Sequence, residues 1–112
     1  MITAALTELK ANGVDVLKHE ILGIRFSQKE FAVFLCLLNS KVTLSDTEIE
    51  ELINSDPYNV ETGIIKASVF RIREKLAVKY KRNTGIIERI QNRGYKINIL
   101  ALNKILAFQN NT

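Results

Sequence analysis

Apolar positions along this chain follow two rhythms, steps of three and four residues and strict alternation, and the changes between them predict its elements. In "SQKEFAVFLCLLNS", Phe31, Phe34, Leu35 and Leu38 keep the helical rhythm on a run that is apolar nearly all round, so a buried central helix is expected. Ser27 and Glu30 stand three apart at its start, the spacing of a capping box. Ser45 and Glu48 open a second helix in the same way. Ile49, Leu52 and Ile53 are its expected apolar stripe, and carboxylates crowd its first turn, where the helix dipole favours them. After the Asp56-Pro57 break, Ile65, Val69, Ile72 and Leu76 fall on one stripe of a long third helix. Ile86 to Ile99 then reads as a β-hairpin turning at Asn92-Arg93-Gly94, with Tyr95, Ile97 and Ile99 alternating against Lys96 and Asn98.

The two ends are less regular. Ile2, Ala5, Leu6 and Leu9 predict a short helix over 2–11, stopped by Asn12-Gly13, with a strand as the competing reading. Val14 and Val16, then Leu22, Ile24 and Phe26, predict two short strands joined by a polar turn, each with one buried face. Leu102, Ile105 and Leu106 predict a helical tail that frays into polar residues.

At 112 residues the chain fits a single domain, 1–112, with an N-terminal segment (1–26), a core (27–99) and a tail (100–112). The lone Cys36 is expected to be a small buried hydrophobe, compatible with a reducing cytoplasm. No apolar run approaches the ~18 residues of a membrane span, and the N-terminus lacks the pattern of a signal peptide. His19 has no second histidine to help it hold a metal. Ser27 and Ser45 read as caps rather than nucleophiles, and the carboxylates at Asp46, Glu48, Glu50 and Glu51 are expected to face water. No metal, cofactor or catalysis is expected.

Charge is sharply divided. From Lys41 to Ile65 one cation stands against six anions, 1 − 6 = −5; from Lys66 to Lys96 ten cations stand against Glu74 and Glu88, 10 − 2 = +8. A basic tract of this kind is the electrostatic footprint of a nucleic-acid binder, or else a solvated helix face and loop. Opposite the apolar stripe of the third helix lie Gly63, Ala67, Phe70, Arg71 and Glu74, with Lys66 and Arg73 on the shoulder. Arginine in the major groove can take a guanine edge in two hydrogen bonds. An arginine at a neighbouring hairpin tip, here Arg93, is drawn to a narrow minor groove by its negative potential.

Three helices, the last one basic, followed by a hairpin with a cationic tip resemble the winged-helix effector domain of the OmpR/PhoB response-regulator family. "SQKEFAVFLCLL" is similar to the family's "LT-x-x-E-F-x-L-L" helix, "VFRIREKL" to "V-x-R-L-R-x-K-L" of the recognition helix, and "IIERIQNRGYKI" to the wing pattern "I-x-T-V-x-G-x-G-Y-x-L". The resemblance covers roughly Ser27 to Ile97. The chain departs from the pattern at Gly63, Lys66, Phe70, Arg89 and Asn92. It implies an α+β winged helix-turn-helix fold, with a three-helix core, a C-terminal β-hairpin wing and a short N-terminal β/helical segment. It further implies that residues 61–79 dock in the major groove of double-stranded DNA, with Lys66, Ser68, Arg71 and Arg73 where members contact bases or phosphates. Arg93 falls at the wing tip and Lys96 on the wing arm. Residues 54–60 form the loop that meets RNA polymerase in some members.

Only 26 residues precede Ser27, too few for a receiver domain of on the order of 100 residues. Regulatory input is therefore expected through protein level, a partner regulator or another chain. The tail from Leu100 to Phe108 is expected to pack within the monomer, with a homodimer contact as the alternative. The expected function is transcription regulation by sequence-specific DNA binding in a bacterial cytoplasm, at the nucleoid. A protein-binding adaptor or anti-regulator that does not touch DNA is the rival reading.

Overall fold

The computed structural model describes residues 13–40, 42–53 and 62–110. Its elements run β1 (Val14–Asp15), β2 (Glu20–Ile21), β3 (Ile24–Arg25), α1 (Gln28–Asn39), α2 (Asp46–Ile53), α3 (Thr62–Tyr80), β4 (Ile87–Ile90), β5 (Gly94–Ile97) and α4 (Ile99–Asn110). This is a winged helix: α1 packs on both α2 and α3, α2 packs on α3, and the β4–β5 hairpin leans on α1 through β5. The helix expected over 2–11 and the loop at 54–60 lie outside the described residues.

Both capping boxes form. The Glu30 and Glu48 backbone N–H groups donate to Ser27 Oγ and Ser45 Oγ at 3.2 and 3.1 Å, and each carboxylate accepts from its serine's backbone N–H. The stripe Ile65, Val69, Ile72 and Leu76 is wholly buried against Phe34, Leu37 and Leu38 of α1 in one core. The tail is helical and belongs to that core through Leu102 and Ile105. Asn98 caps it, accepting from the Ala101 N–H at 3.1 Å, while its own N–H donates to Ile86 O at 2.7 Å.

Three local expectations are corrected. Val14 and Val16 do not share a buried face, because Asp15 Oδ1 accepts from the Lys18 N–H at 3.1 Å and closes a turn that leaves Val16 exposed. Leu22, Ile24 and Phe26 do not form one strand. The chain reverses at Leu22-Gly23, with φ of 57° and 74°, the geometry of a two-residue primed hairpin turn. Ile21 therefore pairs with Ile24, and the sheet has order β1-β2-β3. In α2 the buried residues are Ile49 and Glu50, with Ile53 partly buried and Leu52 exposed. At about 100° per residue positions 50 and 52 lie equally far, about 80°, on opposite sides of the midline between Ile49 and Ile53, and the packing turns the side of position 50 inward. Glu50 thus does not face water; Lys29 Nζ lies 3.6 Å from its carboxylate.

Candidate nucleic-acid interface

Helix α3 carries two opposed faces on 19 residues, about 28 Å of axis. One face is the core stripe. The other exposes Lys66, Phe70, Arg71, Arg73, Glu74 and Val78, with Ala67 half-buried among them. The helix ends on Lys81, at φ 58°, and the Arg82 N–H donates back to Ala77 O at 3.2 Å. That six-to-one bond is the Schellman stop. It turns Lys81 and Arg82 out as exposed cations beside the helix end.

The wing is held in place by three devices. The connector between α1 and α2 pairs with it as an isolated antiparallel bridge: the Leu44 N–H donates to Tyr95 O at 2.9 Å and the Tyr95 N–H to Leu44 O at 2.8 Å. Tyr95 and Ile97 sink into the core from the same strand. From α3, Arg73 Nε and Nη2 both donate to Ile87 O, at 3.2 and 2.8 Å. Around Tyr95, burial and the Asp46 carboxylate push the phenol pKa above its ordinary value, while Arg89 and Arg73 oppose them. The start of α2, the middle of α3 and the first wing strand therefore meet at one charged junction.

The wing tip follows from backbone conformation. Asn92 sits at φ 64° and the Arg93 N–H donates to Ile90 O at 3.0 Å. This turn needs a left-handed third residue, which asparagine tolerates. Arg93 stands exposed on it, and Lys96 is exposed on β5, opposite Glu88 in the register.

The six residues singled out in the sequence thus divide. Lys66, Arg71, Arg93 and Lys96 are exposed. Arg73 is exposed too, but two of its five donors hold the wing. Ser68 is corrected: only 1% of it is exposed. Its position lies about 60° from Ile65 around the helix, inside the buried arc, so it cannot reach a ligand on the outer face. Two other cations of the basic tract are also tied to the body of the protein. Lys75 Nζ meets Glu30 Oε1 at 2.7 Å and Arg25 O at 3.3 Å, and Lys79 Nζ donates to Leu22 O. Composition alone carries no sign of these assignments, because each partner lies at least 14 residues away in sequence.

Other chemistry is sparse. Cys36 is half-buried in a groove with Ala32, Leu35, Leu52 and Ile53, and burial pushes its thiol pKa up, away from nucleophilic character. His19 lies 5.1 Å from the Phe31 ring. Among the described residues no group of three metal-ligating side chains converges, and no helix is long and apolar enough to cross a membrane.

Comparisons agree with this geometry. The sequence model described as "Transcriptional regulatory protein, C terminal" matches residues 21–97. A structure titled "A novel family of redox sensors in the streptococci evolved from two-component response regulators" superposes with TM-score 0.62 at 22% identity, over 76% of this chain and 38% of that one. A cysteine-to-serine mutant of RitR gives 0.63 at 22%, over 87% and 46%. A cysteine-to-aspartate mutant gives 0.60 at 24%, over 76% and 39%. The chain thus spans less than half the length of these structures, and at such identities the likeness is one of fold. No curated protein matches the chain in sequence.

Proposed function

The chain belongs to the family of transcriptional regulatory protein C-terminal domains, a DNA-binding family rather than a class of enzymes, and from that premise we propose that it binds double-stranded DNA sequence-specifically. In this reading α3 lies in the major groove and the tip 92–94 reaches the adjacent minor groove. Arg71 reads a base edge, Lys66 and Lys96 contact phosphates, Arg93 enters the minor groove, and Arg73 meets a phosphate with the donors left over from holding the wing. One observation carries the reading: a long helix keeps a cationic face clear of the core while its own Arg73 fixes the wing beside it.

The reading extends to bacterial transcription control at the nucleoid, with RNA polymerase or another regulator as protein partner. Two copies bound side by side on a repeated site would protect twice the length in footprinting.

The test is a titration of the purified chain on random duplex, then on sequences selected from it, across a range of salt. Affinity is expected to fall steeply with salt, because neutralised phosphates release counterions. Arg71→Ala is expected to cost about 1–3 kcal/mol and relax preference at one position. Failure to bind any duplex at low salt would sink the proposal and favour an adaptor that grips a protein.

A further inference from the structure

Phe70 is the anomaly of the outer face. It is 60% exposed in mid-helix, and among the described residues its ring meets neither another ring nor a cation. Lone exposed hydrophobes are ordinary on protein surfaces, so exposure by itself assigns nothing. Position does more. Lys66, Phe70 and Glu74 form one row at steps of four, with Arg71 and Arg73 on either side. Cations therefore flank the ring, but the next member of its own row is a carboxylate. A carboxylate repels phosphate, so the centre of this row is unsuited to gripping the DNA backbone and suited to lying over base edges. In the major groove the one apolar feature of a base edge is the 5-methyl group of thymine, and an aromatic side chain is among its natural partners. Burying part of the exposed phenyl ring against that methyl group is favourable.

We propose that Phe70 is a specificity-determining residue that recognises a thymine methyl group in the major groove. This rests on the DNA-binding reading above. It requires no conformational change, since the ring already stands outward between Lys66 and Glu74.

The test uses the full chain and a duplex selected by it from a random pool. Each thymine of the selected site is replaced in turn by uracil, which lacks only the methyl group. One replacement is expected to weaken binding about fourfold, the factor for withdrawing one methyl from an apolar contact. In Phe70→Ala that same thymine and its uracil analogue should bind equally, and Phe70→Leu should restore part of the discrimination. Because the ring is exposed, circular dichroism of Phe70→Ala should match the parent.

Three results would overturn the assignment. Uracil tolerated at every position removes it while leaving DNA binding intact. An undiminished methyl effect in Phe70→Ala moves the contact to another residue, Ala67 first. No selected duplex at all removes this inference together with the reading beneath it.

Discussion

Gly94 shows how a single residue holds the wing to the helices. Its φ is +138°, and a Cβ there would lie 2.0 Å from Leu44 O and 2.6 Å from Leu44 C. Neither is the end of a flexible side chain, so the bridge between Leu44 and Tyr95 would have to open. Gly94→Ala is therefore expected to cost about 3 kcal/mol or more, combining backbone strain with lost packing; urea unfolding measures it, and a loss under about 1 kcal/mol would mean the bridge is dispensable. Glu30 works by charge. Burial alone would raise its pKa, but Lys75, together with the Ser27 N–H and hydroxyl, holds it below the ordinary 4.5. A carboxyl depressed in the folded state stabilises the fold fully above that ordinary value and loses the contribution as pH falls through the folded one. Glu30→Gln keeps an oxygen for the cap but not the charge. With Lys75 partly in solvent, the variant is expected to lose about 1 kcal/mol at neutral pH. The deficit should close on acidification; a pH-independent deficit would assign it to packing instead.

At the scale of elements, Arg73 decides how rigidly α3 presents the wing. Its fork on one carbonyl is a geometry lysine cannot reproduce, whereas a lysine can still neutralise a phosphate. Arg73→Lys and Arg73→Ala should therefore behave alike in hydrogen exchange of the wing amides, both opening the hairpin by about 1–2 kcal/mol. If Arg73→Lys protects the wing as well as arginine does, the clamp is not what positions it. This is also the scale at which the sequence was most and least informative. Helices α1 and α3 were legible because their stripes run for several turns, and the hairpin because Tyr95 and Ile97 are buried on either side of exposed Lys96, although its turn spans Ile90 to Arg93, with Gly94 already paired in β5, and Ile99 begins α4 instead of extending the strand. Strands β1 to β3 were not, since two residues each are too few to display a period. A leucine in left-handed conformation at position 22 also hides the turn that separates β2 from β3. The stripe assigned to α2 failed at Leu52 because its eight residues leave the centre of the arc poorly fixed. The fastenings that place the candidate interface were illegible for another reason. Arg73 to Ile87, Gly94 to Leu44 and Lys75 to Glu30 each join residues brought together only by the fold.

At the scale of the molecule, those fastenings change what the charge division means. The tract from Lys66 to Lys96 holds ten cations, but Arg73, Lys75 and Lys79 are engaged with Ile87 O, Glu30 and Leu22 O, so 10 − 3 = 7 remain at the surface without such duties. Lys66, Arg71, Lys81, Arg82, Arg89, Arg93 and Lys96 are all exposed. They follow α3 from its first turns to its end and continue along the wing, while Asp46, Glu48 and Glu51 lie on α2, leaving the molecule with a basic side and an acidic helix. Such a distribution orients a protein as it approaches a polyanion and raises its association rate at low salt. It also bounds the equilibrium. Each neutralised phosphate contributes about −0.9 to the slope of log K against log salt, so these seven cations together with the leftover donors of Arg73 allow a slope no steeper than about −7, whereas all ten would give about −9. Arg71→Ala and Arg93→Ala should each bring the slope about one unit nearer zero if they meet phosphates; if Arg71 reads a base instead, its variant should change sequence preference more than slope. A measured slope near −9 would mean that Lys75 and Lys79 leave their partners when DNA arrives, and that the acid-sensitive pair with Glu30 breaks on binding.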